Sequence, residues 1–186
     1  MSTPVKGKTQ LVVLTAICTA LMIVGGFIRF PIGTVPITLQ TICVLFIGSY
    51  AGKKIGAVAV AIYLILGLIG LPIFSAGGGV FYVTHPTFGY LVGMLGGVTI
   101  AGALPKKIAM EHAYRVRIGL NLLAVLLIHV AGVTYMYLIA NYLHETPLSI
   151  WTAIYTGSLI FIPFDVISAI VSALISGKLS TIKPIV

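Results

Sequence analysis

The sequence is short of charge, and shortest of negative charge. Its 186 residues include only three acids, Glu111, Glu145 and Asp165, against eleven Lys or Arg. Charged residues make up 8% of the chain, where a soluble domain carries about 25%. So few charges cannot cover the surface of a soluble protein of this length. A soluble enzyme, a nucleic-acid binder and a disordered chain are excluded together. Cysteine is scarce as well. Cys18 and Cys43 both fall in apolar runs, where Cys acts as a small hydrophobe, so neither a disulfide framework nor a metal site is expected. Catalytic patterns are missing too. There is no HExxH pair, no Ser–His pairing, and no second carboxylate in an apolar run to complete an aspartyl dyad. Gly7-Lys8-Thr9 resembles the end of a phosphate-binding loop, but Ser2 stands at the first glycine and no strand precedes it. No enzyme, no ATPase site and no cofactor are expected.

What fills the chain is apolar: 59% of residues by the AVILMFWYC count. A spanning helix needs roughly 20 residues. The runs at 11–30, 37–50, 55–71, 88–104 and 118–142 predict five spans, with Pro36 suited to the first turn of the second. The last stretch reads two ways. One helix over 149–177 would be about 43 Å long, against a hydrocarbon core of about 30 Å. The favoured reading is a short outer helix around Trp151 and a sixth span opening at Pro163. A long kinked helix is the alternative. The chain is thus expected to be one all-α integral membrane domain, 1–186, with six transmembrane helices.

Topology follows from the cations. Six spans put Lys6, Lys8, Lys53, Lys54, Lys106, Lys107, Arg115, Arg117, Lys178 and Lys183 on one side and Arg29 on the other. That bias places both termini in the cytoplasm. The outer loops are then 29–36, 72–87 and 143–148. The second contains Gly77-Gly78-Gly79 and His85-Pro86-Thr87. Such a loop is either a flexible connector or a backbone-rich surface that approaches a small ligand.

Polar groups at membrane depth are few. Asp165 is the one acid in an apolar run, and an ionisable residue there is a functional candidate by default. It is expected in the first turn of the sixth helix, where the positive end of the dipole favours a carboxylate. Gln40, near the outer end of the second span, suits a ligand or a neighbouring helix. Asn121 and His129 lie in the fifth span, and a lone His there is expected only to bond a neighbour. His112 beside Glu111, and His144 beside Glu145, are read as solvated. Gly89, Gly93, Gly97 and Ala101 recur every four residues and suit close helix packing. Ala16 and Ala20 recur likewise, and serve either internal packing or another subunit.

Five segments in order carry a resemblance. They are Val35-Pro36-Ile37-Thr38-Leu39-Gln40, Gly67-Leu68-Ile69-Gly70-Leu71-Pro72-Ile73-Phe74, the glycines at 77–79, Pro86-Thr87-Phe88-Gly89-Tyr90-Leu91-Val92-Gly93, and Phe161-Ile162-Pro163-Phe164-Asp165. With them the chain resembles the BioY family, the biotin-specific S-components of energy-coupling factor (ECF) transporters. The resemblance implies an S-component-like bundle in a bacterial plasma membrane. Such a protein captures biotin from outside and works with a transmembrane coupling subunit and two cytoplasmic ATPase subunits. Ala16 and Ala20 match the family's docking motif. Asp165 would accept from the ureido N–H groups, and Gln40, Thr87 or backbone amides would serve the carbonyl. Tyr90, Phe74 and Trp151 would form apolar walls, and the Gly77, Gly78 and Gly79 loop would lie close. Two positions depart from the family. Ser168 stands where the family commonly has Lys, and Phe88 replaces a glycine. Arg29 and His85 remain as basic candidates for the ligand's carboxylate. A related vitamin such as lipoate is the alternative ligand, and a stand-alone proton-coupled carrier the alternative function.

Overall fold

The computed structural model describes residues 4–30, 35–105, 110–143 and 147–182. Lys106, Lys107, His144, Glu145 and Lys183 lie outside the described residues. Helix α1 (Pro4–Phe27) leads through a two-strand ribbon, β1 (Arg29–Phe30) against β2 (Ile37–Thr38), into α2 (Gln40–Leu68). A loop with one 3₁₀ turn (Val80–Thr84) precedes α3 (Phe88–Ala101). Then come α4 (Met110–Leu138) with a π turn (Ile139–Leu143), α5 (Ile150–Ile154) with a π turn (Tyr155–Leu159), and α6 (Ile162–Ile182).

Helix α2 is two helices in one unbroken run. At Gly52 the backbone takes φ 79° and ψ 168°, a left-handed conformation that glycine adopts without a Cβ penalty. The chain reverses there. A straight helix would hold Gly48 and Gly56 about 12 Å apart, yet a Cβ on Gly56 would lie 3.7 Å from the Gly48 Cα. At the far end Gln40 Nε2 donates to Tyr63 Oη at 2.6 Å. The expected second and third spans are therefore the legs 40–51 and 53–68 of one hairpin. By length and composition four segments can cross a membrane: Gly7–Phe27, Gln40–Leu68, His112–Leu143 and Ile150–Leu179. Helix α3 is apolar but shorter.

One expectation is corrected and another refined. Pro36 does not open a helix; it precedes β2, because 29–30 and 37–38 satisfy each other's backbone groups and Leu39 N–H bonds the Ile28 carbonyl at 3.2 Å. The last stretch combines the two readings: a short helix holds Trp151 and α6 opens at Ile162, but a π turn and a two-residue turn at 160–161 join them without a loop. The adjustment to Pro163 is made in that junction. Proline has no N–H and crowds the carbonyl four residues back, here that of Leu159. The preceding turn widens to π geometry, with Ile160 N–H reaching the Tyr155 carbonyl at 3.4 Å. Asp165 thus falls in the first turn of α6, as expected, although that turn follows a π turn and not a free chain end.

Small residues set the packing. A Cβ on Gly89 would lie 2.1 Å from the Tyr135 Cβ, and one on Gly93 3.0 Å from the Ile128 Cα. The glycine stripe of α3 therefore lies flat on α4. Gly48 meets the Val98 carbonyl and Ala101 in the same way. Deeper in the bundle, Ser49 Oγ donates to Asn121 Oδ1 at 2.9 Å. Asn121 Nδ2 donates to the Ala169 carbonyl and to Ser172 Oγ, each at 3.0 Å. One fully buried amide thus ties α2, α4 and α6 together.

A substitution pair tests this packing. Gly48→Val places branched carbons where α3 already sits, and is expected to destabilise by about 1–3 kcal/mol. Gly119→Ala, with nothing within 4 Å of its new Cβ, should leave the melting temperature in detergent unchanged or slightly higher.

Candidate functional site

A cavity of about 90 Å³ opens between the ribbon, the start of α2, the 71–87 loop, α3, α4 and α6. Its polar lining comes from Thr38, Gln40, Ser75, Thr87, His129 and Asp165, together with Thr41 and Ser168. Tyr90, Met94, Ile128 and Phe161 supply much of the apolar wall. Drug-sized ligands occupy pockets of at least roughly 300 Å³, so the walls must part to admit one.

Asp165 is the acid of the cavity, 7% exposed. His129, equally buried, places Nε2 2.8 Å from Asp165 Oδ2. Among the described residues, Oδ1 has no hydrogen-bond partner. Burial of a carboxylate is tolerable when it is paired and bonded, and His129 supplies the partner. The histidine is itself held. Its Nδ1 lies 3.3 Å from the Gly157 carbonyl, which also accepts from Tyr90 Oη at 2.6 Å.

That carbonyl is available because of the π turn. In a regular helix the Phe161 amide would bond Gly157. Here it bonds the Ser158 carbonyl at 2.9 Å. The path of Tyr90 to Gly157 needs two glycines. A Cβ on Gly132 would lie 2.2 Å from the Tyr90 ring, and one on Gly157 2.6 Å from its hydroxyl. The ring of Tyr90 faces the cavity while its hydroxyl is fully engaged behind it.

The 71–87 loop is ordered around a run of ring contacts, edge-on at Tyr63–Phe74, tilted at Phe74–Tyr82 and stacked at Tyr82–His85. Tyr63, Phe74, Tyr82 and His85 follow one another at centroid distances of 5.3, 4.6 and 4.9 Å. Hydroxyls run beside them. Thr87 N–H donates to His85 Nδ1 at 3.3 Å, so that nitrogen accepts. Thr87 Oγ1 then donates to it at 2.7 Å, Tyr82 Oη to Thr87 at 3.0 Å, and Ser75 Oγ to Tyr82 at 3.2 Å. Tyr135 Oη fastens the loop to α4 through the Val83 carbonyl.

Of the residues expected at the site, Asp165, Gln40, Thr87, Tyr90 and Ser168 line the cavity. Others stand apart from it. Phe74 packs into the space left by Gly67, and Gly77, Gly78 and Gly79 shape the loop, Gly77 through a bridge to Phe74 and Gly79 through an N–H bond to the Gly67 carbonyl. His85 reaches the wall through Thr87. Trp151 is 77% exposed, and Arg29 lies exposed in the ribbon. Ala16 and Ala20 are exposed on α1, whose other face donates Thr19 Oγ1 to the Ala59 carbonyl at 3.2 Å. His129 was given no role from sequence. The signal for it was the rule that singled out Asp165, that an ionisable group in a span has a task and a partner.

The profile of the BioY family matches residues 1–184. The biotin transporter BioY of Thermotoga maritima is 35% identical over 168 residues, covering 90% of this chain and 94% of that protein. The probable biotin transporter BioY of Lysinibacillus sphaericus is 33% identical over 173 residues, covering 92% and 87%. Among solved structures, the S-component for biotin from an ECF-type ABC transporter superposes with a TM-score of 0.82 at 28% identity, covering 97% of this chain and 95% of that one.

The support under Tyr90 can be tested by stability. Tyr90→Phe keeps the ring and removes one hydrogen bond, for an expected loss of about 1 kcal/mol. Gly132→Ala, which drives a methyl into the ring, should lower the melting temperature in detergent further than Tyr90→Phe does.

Proposed function

Because the chain belongs to the BioY family, we propose that it is the substrate-capture subunit of an ATP-driven biotin importer. It is a multi-pass membrane protein, a substrate-binding transporter subunit and not an enzyme. The observation that carries the reading is the cavity around Asp165. Biotin's ureido ring offers two N–H donors and one carbonyl. Asp165 Oδ1, open among the described residues, is an acceptor for such a donor. The Gln40 amide has two hydrogens, one of them given to Tyr63, and the second suits the ureido carbonyl. Tyr90, Met94 and Phe161 form a wall against which the bicyclic ring and the valeryl chain lie. The apolar tail and its carboxylate point toward the ribbon, nearer Arg29.

The finer topology belongs to the same reading. Both legs of α2 and α3 cross the bilayer beside the three other long segments, 7–27, 112–143 and 150–179, giving six spans. The polar cluster at Ser49, Asn121 and Ser172 lies toward the end that carries Lys53, Lys54, Arg115, Arg117 and Lys178. The excess of cations makes that end cytoplasmic, so the cavity faces outward in the plasma membrane. ATP is hydrolysed by two partner ATPases, and a transmembrane coupling subunit docks on the Ala16–Ala20 face of α1.

Equilibrium binding by the purified protein in detergent, without ATP, tests the ligand. Saturable biotin binding is expected. Asp165→Asn should weaken it by about 1.5–3 kcal/mol, the range for hydrogen bonds to a charged group. Tight lipoate binding with no biotin binding would sink the assignment. Replacing Ala16 and Ala20 by Leu should abolish biotin uptake by cells that supply the coupling and ATPase subunits, while binding by the purified subunit persists. Uptake by liposomes holding this chain alone, driven by a proton gradient, would point instead to a self-sufficient carrier.

A further inference from the structure

The geometry points to His129 as a positioning residue of the ligand site, one that shares two protons with Asp165 and makes ligand binding proton-dependent. The inference rests on Asp165 being the ligand's acceptor, as proposed above.

It follows from counting hydrogens. A carbonyl oxygen can only accept, so His129 Nδ1, 3.3 Å from Gly157, carries a proton. Nε2 lies 2.8 Å from Asp165 Oδ2, and one proton must sit between them. Either His129 is an imidazolium facing a carboxylate, or a neutral imidazole accepts from a carboxylic acid. Both descriptions hold two protons in the pair and both are electrically neutral. The two protons are then a property of the pair and not of either residue alone.

This arrangement assigns each carboxyl oxygen a task. His129 engages Oδ2 and fixes the plane of the group, while Oδ1 stays open toward the cavity. Removing one proton breaks the arrangement whichever nitrogen loses it. If Nδ1 is bare, its lone pair faces the Gly157 carbonyl. If Nε2 is bare, its lone pair faces a carboxylate. Only in the second case does Asp165 lose the bond that fixes its plane; in the first the His129 ring loses its anchor on Gly157, and in both the pocket gains a net negative charge that repels an anionic ligand.

Several groups face the pair. On the α5 side His129 shares a second cavity with Tyr137 and with uncharged Thr134 and Ser158. From α3 the facing titratable group is Tyr90, engaged with Gly157. From α6 it is Asp165, with uncharged Ser168 one turn on. From α2 only uncharged Gln40 and Thr41 line the cavity. From the loop, His85 reaches the wall through Thr87. Phe161 borders the His129 ring with centroids 6.4 Å apart and carries no charge.

Two readouts test the proposal. The first needs no ligand. Nitrogen NMR of ¹⁵N-histidine-labelled protein, with infrared spectra of the carboxyl region, counts the protons at neutral pH. The expected result is a His129 signal with both ring nitrogens protonated, or a protonated-carboxyl band that vanishes in Asp165→Asn. A neutral ring beside an ionised Asp165 would overturn the proposal. The second is calorimetric biotin binding between pH 6 and 9. Wild-type affinity should fall as pH rises, approaching about tenfold per pH unit where one proton is lost. His129→Gln, whose amide can still donate to Asp165, should keep affinity within about tenfold at pH 6 and lose the slope. His85→Gln should retain the slope. A flat wild-type profile, a slope that survives in His129→Gln, or one that vanishes in His85→Gln would each overturn it. A wild type that binds no biotin at any pH would defeat the ligand assignment, and the spectroscopic count would still decide the pair.

Discussion

Buried polar groups in this bundle have nowhere to turn but to each other. An apolar surrounding leaves an unpaired donor or acceptor at full desolvation cost, and the architecture is organised around meeting that requirement in two layers. In one layer Ser49, Asn121 and Ser172 close a small circuit with the Ala169 carbonyl. In the other, Asp165, His129, Tyr90 and the Gly157 carbonyl form a chain that ends at a cavity. The first circuit is saturated by its own members. The second is left one acceptor open, and that difference separates a packing motif from a candidate binding site.

Pro163 connects local backbone chemistry to that second layer. It touches the site only through the chain. Its missing N–H and its ring displace the helical bonding upstream, and a π turn takes up the difference, as π turns often do near functional groups. A main-chain carbonyl is thereby turned toward α3 and α4 and becomes the common anchor of Tyr90 and His129. Gly132 clears the approach. Four elements are needed to place one carboxyl group, and each contributes through a residue whose own side chain is small, absent or cyclic.

Much of this was legible in the sequence, and the parts that were not share a cause. Charge scarcity gave the membrane class, and the glycine stripe gave the α3–α4 contact, because both are one-dimensional patterns. Asp165 stood out because it broke a pattern. His129 did not, since one histidine in an apolar run carries no address for its partner 36 residues away. The reversal near Gly52 was legible, since two lysines between the apolar runs at 37–50 and 55–71 mark a turn, but that one glycine makes it without a loop was not. Trp151 and Phe74 looked like walls because aromatic residues suit walls. Their placement depends on helix rotation and on the Gly67 vacancy, neither of which residue type encodes.

The fold reversal at Gly52 also bears on the surrounding lipid. The two legs of α2 extend about 18 Å and 24 Å, and α3 about 21 Å, at 1.5 Å per residue. All three fall short of a hydrocarbon core of about 30 Å, while α1, α4 and the α5–α6 run do not. Short and long helices are interleaved, for the α2 legs pack on long α1 and α6 as well as on short α3, and α3 lies on long α4. The protein therefore presents an uneven apolar height around its perimeter. Such hydrophobic mismatch is relieved by thinning the bilayer or by tilting the body. Lipid beside the short helices must thin where lipid beside the long ones need not.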